Sequence, residues 1–170
     1  ALQQEFLELQ ISISAMEAPP SGPREAFDLA LFYLAEPPPD ALALAEDSLT
    51  PICSPHLAQQ LRTPADLLGR TLLHDAVWRS DWARWLRHAG VAGIDPGRGP
   101  SYSLYALALG GSGILIGRAS LVAPLLAQGR LATPFDQAMP SGDRLTILPA
   151  PASKPHPLRA QVMEWLADSL

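Results

Sequence analysis

The chain is short of cations and of certain residue types altogether. Of its 12 Lys+Arg only Lys154 is a lysine, asparagine does not occur, and Cys53 is the single cysteine. Against 17 Asp+Glu this leaves a formal charge of −5. A module that grips nucleic acid by itself carries a basic excess to neutralise phosphates, so this segment is not expected to hold DNA or RNA. Lys154 sits in an Ala-Ser-Lys-Pro sequence rather than a Gly-rich turn, which excludes a Walker-type phosphate loop and speaks against a Schiff-base lysine. Without asparagine there is no N-glycosylation acceptor. A lone cysteine makes no internal disulfide, so folding requires no oxidising compartment. No run of about 18 apolar residues is free of charge, Pro and Gly. Glu5 and Glu8 stand where a secretory leader would carry Lys or Arg. These features together lead to the expectation of a soluble, cytoplasmic chain with no membrane contact.

What is present is a chain of 170 residues, 48% of them apolar, enough for one compact domain or two small lobes. Its 18 prolines and 12 glycines separate periodic segments. Helical spacing from Leu2 to Leu9 leads into an alternating stretch, Ile11 to Ala15, expected as a strand. The nearly continuous apolar run Phe27–Tyr33 reads as a strand buried on both faces in a parallel sheet. Leu49 to Cys53 reads as a short strand, after which Ser54-Pro55 supplies an N-cap and an N1 proline for a helix. Thr63-Pro64-Ala65-Asp66 repeats that start signal. Further on come a strand at 71–74, a helix at 80–88 closed by Gly90, a helix at 103–109 and a strand at 114–116. A helix at 121–128, strands at 130–133 and 145–148, and a final helix at 157–166 complete the chain. The alternation implies an α/β fold with mainly parallel strands, in two lobes with a cleft between them.

Candidate chemistry is sparse. Gly111-Ser112-Gly113 with Gly117 has the wrong order for a dinucleotide fingerprint, because the helix precedes the glycines and the strand follows; a helix C-cap and tight turn explains them. Cys53 and His56 have a Cys-x-x-His spacing, yet no second closely spaced pair completes a metal site. Cys53 lies within an apolar strand, no Gly-x-Ser-x-Gly elbow occurs, and Asp66, Asp75 and Asp81 are each accounted for as caps or solvated charges. No catalytic residue, metal ligand or cofactor is therefore assigned. The tryptophans Trp78, Trp82 and Trp85 are read as packing. Helix heads at Ser54-Pro55, Tyr102-Ser103 and Gly117-Arg118 remain. Their unpaired N–H groups, with the Arg118 guanidinium, suit a small anionic ligand.

Several segments occur in one order: Phe27-Asp28-Leu29-Ala30, Leu49-Thr50-Pro51-Ile52-Cys53-Ser54-Pro55, Pro64-Ala65-Asp66-Leu67-Leu68, Leu72-Leu73-His74-Asp75, Asp81-Trp82 with Trp85-Leu86, Ala89-Gly90-Val91, Gly113 to Gly117, Leu121-Val122, Gly129-Arg130-Leu131 and Pro134-Phe135. In this order they resemble LysR-type transcriptional regulators over about Leu2 to Leu170. Cys-Ser-Pro with His-Asp and Asp-Trp-x-x-Trp resembles the branch of the glycine-cleavage activator. The resemblance implies the C-terminal effector-binding domain: a two-lobed α/β fold of the periplasmic-binding-protein type II, with two crossover strands and a small-molecule effector between the lobes. It places lobe I at residues 1–51 plus 147–170 and lobe II at 52–146. It also implies that the opening strand of lobe I and the N-terminal helix-turn-helix reader, through which DNA would be bound, lie outside this sequence. The cleft positions carry over to Ser14, Tyr33, Thr50, Tyr102, Ser103 and Arg118. The chain has Leu31-Phe32-Tyr33 where the branch commonly has Ile-Arg-Tyr, and Leu104-Tyr105 where it has Asp-Ser, which makes the expected pocket less polar.

Split at those lobe limits, 1–51 holds nine acidic residues and one Arg, 147–170 balances, and 52–146 holds nine Arg and six Asp. Lobe I is thus −8 and lobe II +3. The family's dimers set lobe I of one subunit against lobe II of the other, a pairing that opposite charges favour. A homodimer or homotetramer is the expected assembly. A solute-binding protein for transport shares the two-lobed plan and stands as the other reading.

Overall fold

The computed structural model describes residues 2–16, 18–20, 27–75, 77–95, 108–150 and 156–169. The chain divides into two compact units, 1–46 with 142–170 and 47–141. Two long strands, β2 (Leu42–Ile52) and β5 (Met139–Pro149), carry the chain across the two divisions. The remaining elements are α1 (Leu2–Glu5), β1 (Leu29–Leu34), α2 (Pro55–Ala58), a 3-10 turn at Pro64–Leu67, β3 (Leu72–Leu73), α3 (Asp81–His88), β4 (Ile114–Arg118), α4 (Ala119–Ala127) and α5 (Arg159–Asp168). The strand order is β1-β5-β2-β4-β3.

In the first unit, β1 pairs antiparallel with β5, Leu29 opposite Pro149 through Leu34 opposite Arg144. This corrects the reading of 27–33 as a doubly buried parallel strand. β1 lies at the edge of the sheet with β5 as its neighbour, and Leu31 remains 44% exposed. The 11–15 stretch forms no strand either. It has no ladder partner among the described residues, and Ile13 is 88% exposed.

In the second unit the pairing is mixed. β2 runs antiparallel to β4, with Leu49 opposite Arg118 and Ile52 opposite Leu115, and β3 runs parallel to β4. The expectation of mainly parallel strands therefore fails, since β1–β5 and β2–β4 are both antiparallel. The expected 130–133 strand shrinks to a single bridge between Cys53 and Ala132.

Alternation along β4 covers both faces of this sheet. Ile114 and Ile116 join Leu49, Cys53, Trp82, Trp85, Leu86 and Phe135 on the α3 side; Leu115 joins Ile52, Leu73, Val122 and Leu131 on the other. Each such side chain fully buried contributes roughly 1.5–3 kcal/mol. Trp85 stacks on Phe135 with ring centroids 5.8 Å apart and meets Trp82 edge-on at 6.3 Å. Both indole N–H groups are satisfied by carbonyls, Trp82 to Leu73 at 2.8 Å and Trp85 to Gln137 at 3.1 Å.

The start signals read from sequence form as expected. Ser54 accepts from the Leu57 N–H, and Thr63 with Asp66 makes a capping box. Gly90, at φ +69, ends α3. Gly113 is required for another reason: a Cβ there would lie 2.7 Å from the Thr71 carbonyl oxygen, so only glycine lets β3 and β4 approach this closely.

Candidate functional site

Arg118 ends β4 and occupies the N-cap position of α4. The two-residue period that buries Ile114 and Ile116 carries Arg118 onto the same face, where its side chain is 2% exposed. A guanidinium does not deprotonate, so burial on this scale demands opposing charge. Asp47 Oδ2 accepts from Arg118 Nη1 at 3.2 Å, and Asp81 Oδ2 lies 3.8 Å from Nη2. The Trp78 ring lies 4.2 Å from the guanidinium carbon, a cation–π contact.

Each carboxylate has a second task. Asp47 Oδ1 accepts from the backbone N–H of Ser120 at 3.3 Å and from its hydroxyl at 3.2 Å, placing negative charge at the positive end of α4. Asp81, the first residue of α3, pairs through Oδ1 with Arg84 Nη1 at 3.4 Å. Arg84 Nη2 in turn donates to the Ser141 carbonyl. Asp75 supports the arrangement locally, accepting from the Val77 and Trp78 N–H groups at 2.7 and 3.3 Å and so shaping the turn that presents Trp78. The outcome is a chain of alternating charge, Asp47–Arg118–Asp81–Arg84, that is formally neutral and lies wholly within the second unit.

The other chemistry-bearing side chains are placed as follows. Burial pushes the Cys53 thiol up to about 11, so it stays protonated and unreactive at neutral pH. Asp66 is held below the ordinary carboxylate range by the Thr63 and Arg62 backbone N–H groups, both at 2.8 Å. Asp81, expected as a cap or a solvated charge, is instead 5% exposed and ion-paired; Arg84 is its i,i+3 neighbour on α3, whereas its nearness to Arg118 is long-range and leaves no local sequence mark. His56 is exposed beside Gln60. Among the described residues no group of three or more His, Cys, Asp or Glu is arranged to hold a metal ion, and no helix is long and apolar enough to cross a membrane.

Of the six residues expected to meet a ligand, Thr50 and Arg118 fall on neighbouring rungs of one ladder, Thr50 opposite Gly117 and Leu49 opposite Arg118. Both are buried. The pleat turns Thr50 to the face of Ile52, away from that of Leu49 and Arg118. Tyr33 is half-buried in β1 and Ser14 is exposed, both in the first unit. Tyr102 and Ser103, with most of the helix expected at 103–109, lie outside the described residues. An open groove of about 380 Å³ in the second unit, bounded by Arg62, Thr63, Pro64 and Pro134 to Gln137, contains none of the six. Asp47, Asp81, Arg84 and the Trp78–Arg118 contact were not expected as a group. One signal for Asp47 was available: an acid two residues before Leu49, in step with the buried face of β2.

The model of the LysR substrate binding domain matches residues 1–170. The chain belongs to the LysR substrate-binding domain family. Within it, the chain is similar to the HTH-type transcriptional regulator TrpI of Pseudomonas aeruginosa, 34% identical over 176 residues, covering 96% of this chain and 58% of that protein. It is similar also to the glycine cleavage system transcriptional activator of Escherichia coli K12, 31% identical, covering 78% of this chain and 46% of the activator. Against the HTH-type transcriptional activator AmpR of Rhodobacter capsulatus it is 42% identical over 101 residues, 56% of this chain and 34% of that one. The chain thus spans between about a third and three-fifths of the length of these relatives. In fold it is similar to the AmpR effector binding domain from Citrobacter freundii, with a TM-score of 0.82 at 24% identity over 98% of this chain and 86% of that one. The effector domain of AmpR from Pseudomonas aeruginosa gives 0.81 at 24% identity, over 98% and 84%. These LysR effector domains fix the α/β architecture as the periplasmic-binding-protein type II plan expected from the sequence. The relatives named are regulators, which removes the support for a transport solute-binding protein.

Proposed function

We propose that this LysR substrate-binding domain is the effector-sensing and oligomerisation part of a DNA-binding transcriptional regulator, and that its effector is a small anionic metabolite. The observation that carries the reading is the family match over residues 1–170, joined by relatives that are HTH-type regulators. In this reading the two compact units are lobes I and II. The protein acts in the cytoplasm by binding rather than catalysis, and DNA is contacted through a helix-turn-helix segment that is not part of these residues. Effector binding shifts the population between conformations for which the ligand has different affinity.

The residues proposed for effector contact are Ser14, Tyr33, Thr50, Tyr102, Ser103 and Arg118. The Arg118 guanidinium is engaged by Asp47 and Asp81, so an effector carboxylate reaches it in this reading by displacing one of those acids. Self-association as a dimer or tetramer is supported by the uneven charge along the chain: the unit 1–46 with 142–170 carries 11 Asp+Glu and 4 Lys+Arg (−7), and 47–141 carries 6 and 8 (+2).

Thermal unfolding of the chain against a panel of amino acids and short carboxylates tests the reading. A binder at a hundred times its Kd adds about 2.7 kcal/mol and raises Tm. Thr50→Val, nearly isosteric but lacking the hydroxyl donor, is expected to lower that rise while leaving the ligand-free Tm close to native. A panel without any shift would contradict the anionic-metabolite reading.

A further inference from the structure

Three donors converge on one carboxylate. Arg118 Nη1 reaches Asp47 Oδ2 at 3.2 Å, and the Ser120 backbone N–H and hydroxyl reach Oδ1 at 3.3 and 3.2 Å. All three come from residues 118–120, the join of β4 with the nine-residue helix α4, whereas the acceptor comes from β2, 71 positions away in the chain. The join is held without help from Asp47: Ile116 and Val122 on either side of it are buried in the two apolar clusters, and the Trp78 ring covers the guanidinium at 4.2 Å. Asp47 in turn lies two residues before Leu49, where the pairing of β2 with β4 begins, so that ladder does not need its side chain. Asp81 approaches Nη2 rather than Nη1, at 3.8 Å, and shares its charge with Arg84. It therefore does not stand in for Asp47.

We infer that residues 118–120, under Trp78, form a seat for one carboxylate that the chain fills with its own Asp47, and that a free one-carbon carboxylate takes the seat when that side chain is cut back. A guanidinium whose side chain is 2% exposed keeps its charge, and with the positive end of α4 beside it the vacated space favours an anion over water. The shape is set as well: Asp47→Ala removes one carboxylate group beyond Cβ, which formate matches in size. In the native chain the seat is shut to such ions, since a tethered carboxylate competes at a far higher effective concentration than a free one. An anionic effector that engages Arg118 must then bring contacts outside the seat to displace Asp47, so that simple carboxylates fail where a larger ligand succeeds. That consequence rests on the function proposed above; the seat itself does not.

The test is thermal unfolding of the chain in sodium formate against sodium chloride at equal ionic strength. Asp47→Ala is expected to gain at least about 3 °C in Tm, saturably, from formate at about ten times its Kd. The native chain is expected to melt alike in the two salts. If Asp47→Ala is unfolded in chloride, the same binding is read as recovery of native tryptophan emission when formate is added. Two variants are expected not to respond: Asp47→Asn, which keeps the seat filled with a neutral amide, and Asp47→Ala combined with Arg118→Met, which has lost the guanidinium. The absence of both rise and recovery in Asp47→Ala overturns the seat. So does an equal response in the native chain, in Asp47→Asn or in the double variant, because formate would then bind elsewhere. The outcome is separable from the effector panel: a formate response without any panel hit keeps the seat and counts against an anionic effector, and a panel hit without a formate response does the reverse.

Discussion

Along the second unit, β2, β4 and β3 are covered on both faces, and every member of the two apolar clusters comes from residues 47–141. Along the first, the buried apolar residues described are Ala30, Leu145, Ile147, Ala150 and Val162; Leu7, Ile13, Met16 and Leu31 stand exposed there, as Leu68, Val77 and Leu121 do in the second. The charges follow the same division. Asp47, Asp81 and Arg118 are buried in the second unit; Glu46 and Arg144 of the first meet in solvent. A closed core supplies the low dielectric in which an ion pair holds geometry, and the same core makes losing one partner costly. Where both partners face water, as Glu46 and Arg144 do, paired charges organise little.

The strongest way to break this comparison is to truncate one apolar side chain in each unit. Trp85→Ala empties a fully buried site against Phe135 and Trp82 and is expected to cost about 3–5 kcal/mol in urea unfolding. Ile13→Ala, 88% exposed, is expected to change stability by less than about 0.5 kcal/mol. Comparable losses would mean that the first unit is as well packed as the second. Next in size, Gly113→Ala forces a Cβ towards the Thr71 carbonyl and is expected to cost about 1–3 kcal/mol, read as a lower Tm. Cutting the exposed pair with Glu46→Gln should change the unfolding free energy by at most about 1 kcal/mol, less in high salt.

The smallest effect concerns Asp66. Its folded pKa lies below the ordinary 3.8, chiefly because the Thr63 and Arg62 N–H groups bond the carboxylate. A depressed folded value means that the unfolded chain takes up the proton first as pH falls. The capping box therefore adds stability above the ordinary aspartate range, and that contribution drains away as the pH drops through the folded value. A carboxyl-carbon NMR titration showing Asp66 at or above 3.8 would remove this contribution.

Much of the second unit is legible from local signals, since Ser54-Pro55, Thr63-Pro64-Ala65-Asp66 and Gly90 are punctuation whose physics acts over four residues or fewer. Pairing is less so. The apolar run at 27–33 looks the same whether it enters a parallel interior or an antiparallel edge, and only the long-range register with β5 decides. Length escapes as well: β2 begins at Leu42 rather than Leu49, because its first half has weak alternation and gains its order from neighbouring strands. In the candidate site Arg118 stood out as a charge between an apolar strand and a helix. Its partners Asp47 and Asp81 lie 71 and 37 positions away, and no local pattern joins residues across such separations.

The central claim is that Arg118 belongs to a buried, internally balanced charge chain, and a double-mutant cycle of Asp47→Asn with Arg118→Met in urea unfolding tests it most directly. The structure predicts that each single change costs about 3–5 kcal/mol, and that the double change costs less than their sum by about 1–3 kcal/mol. Additive losses, with no coupling between the two positions, would contradict it.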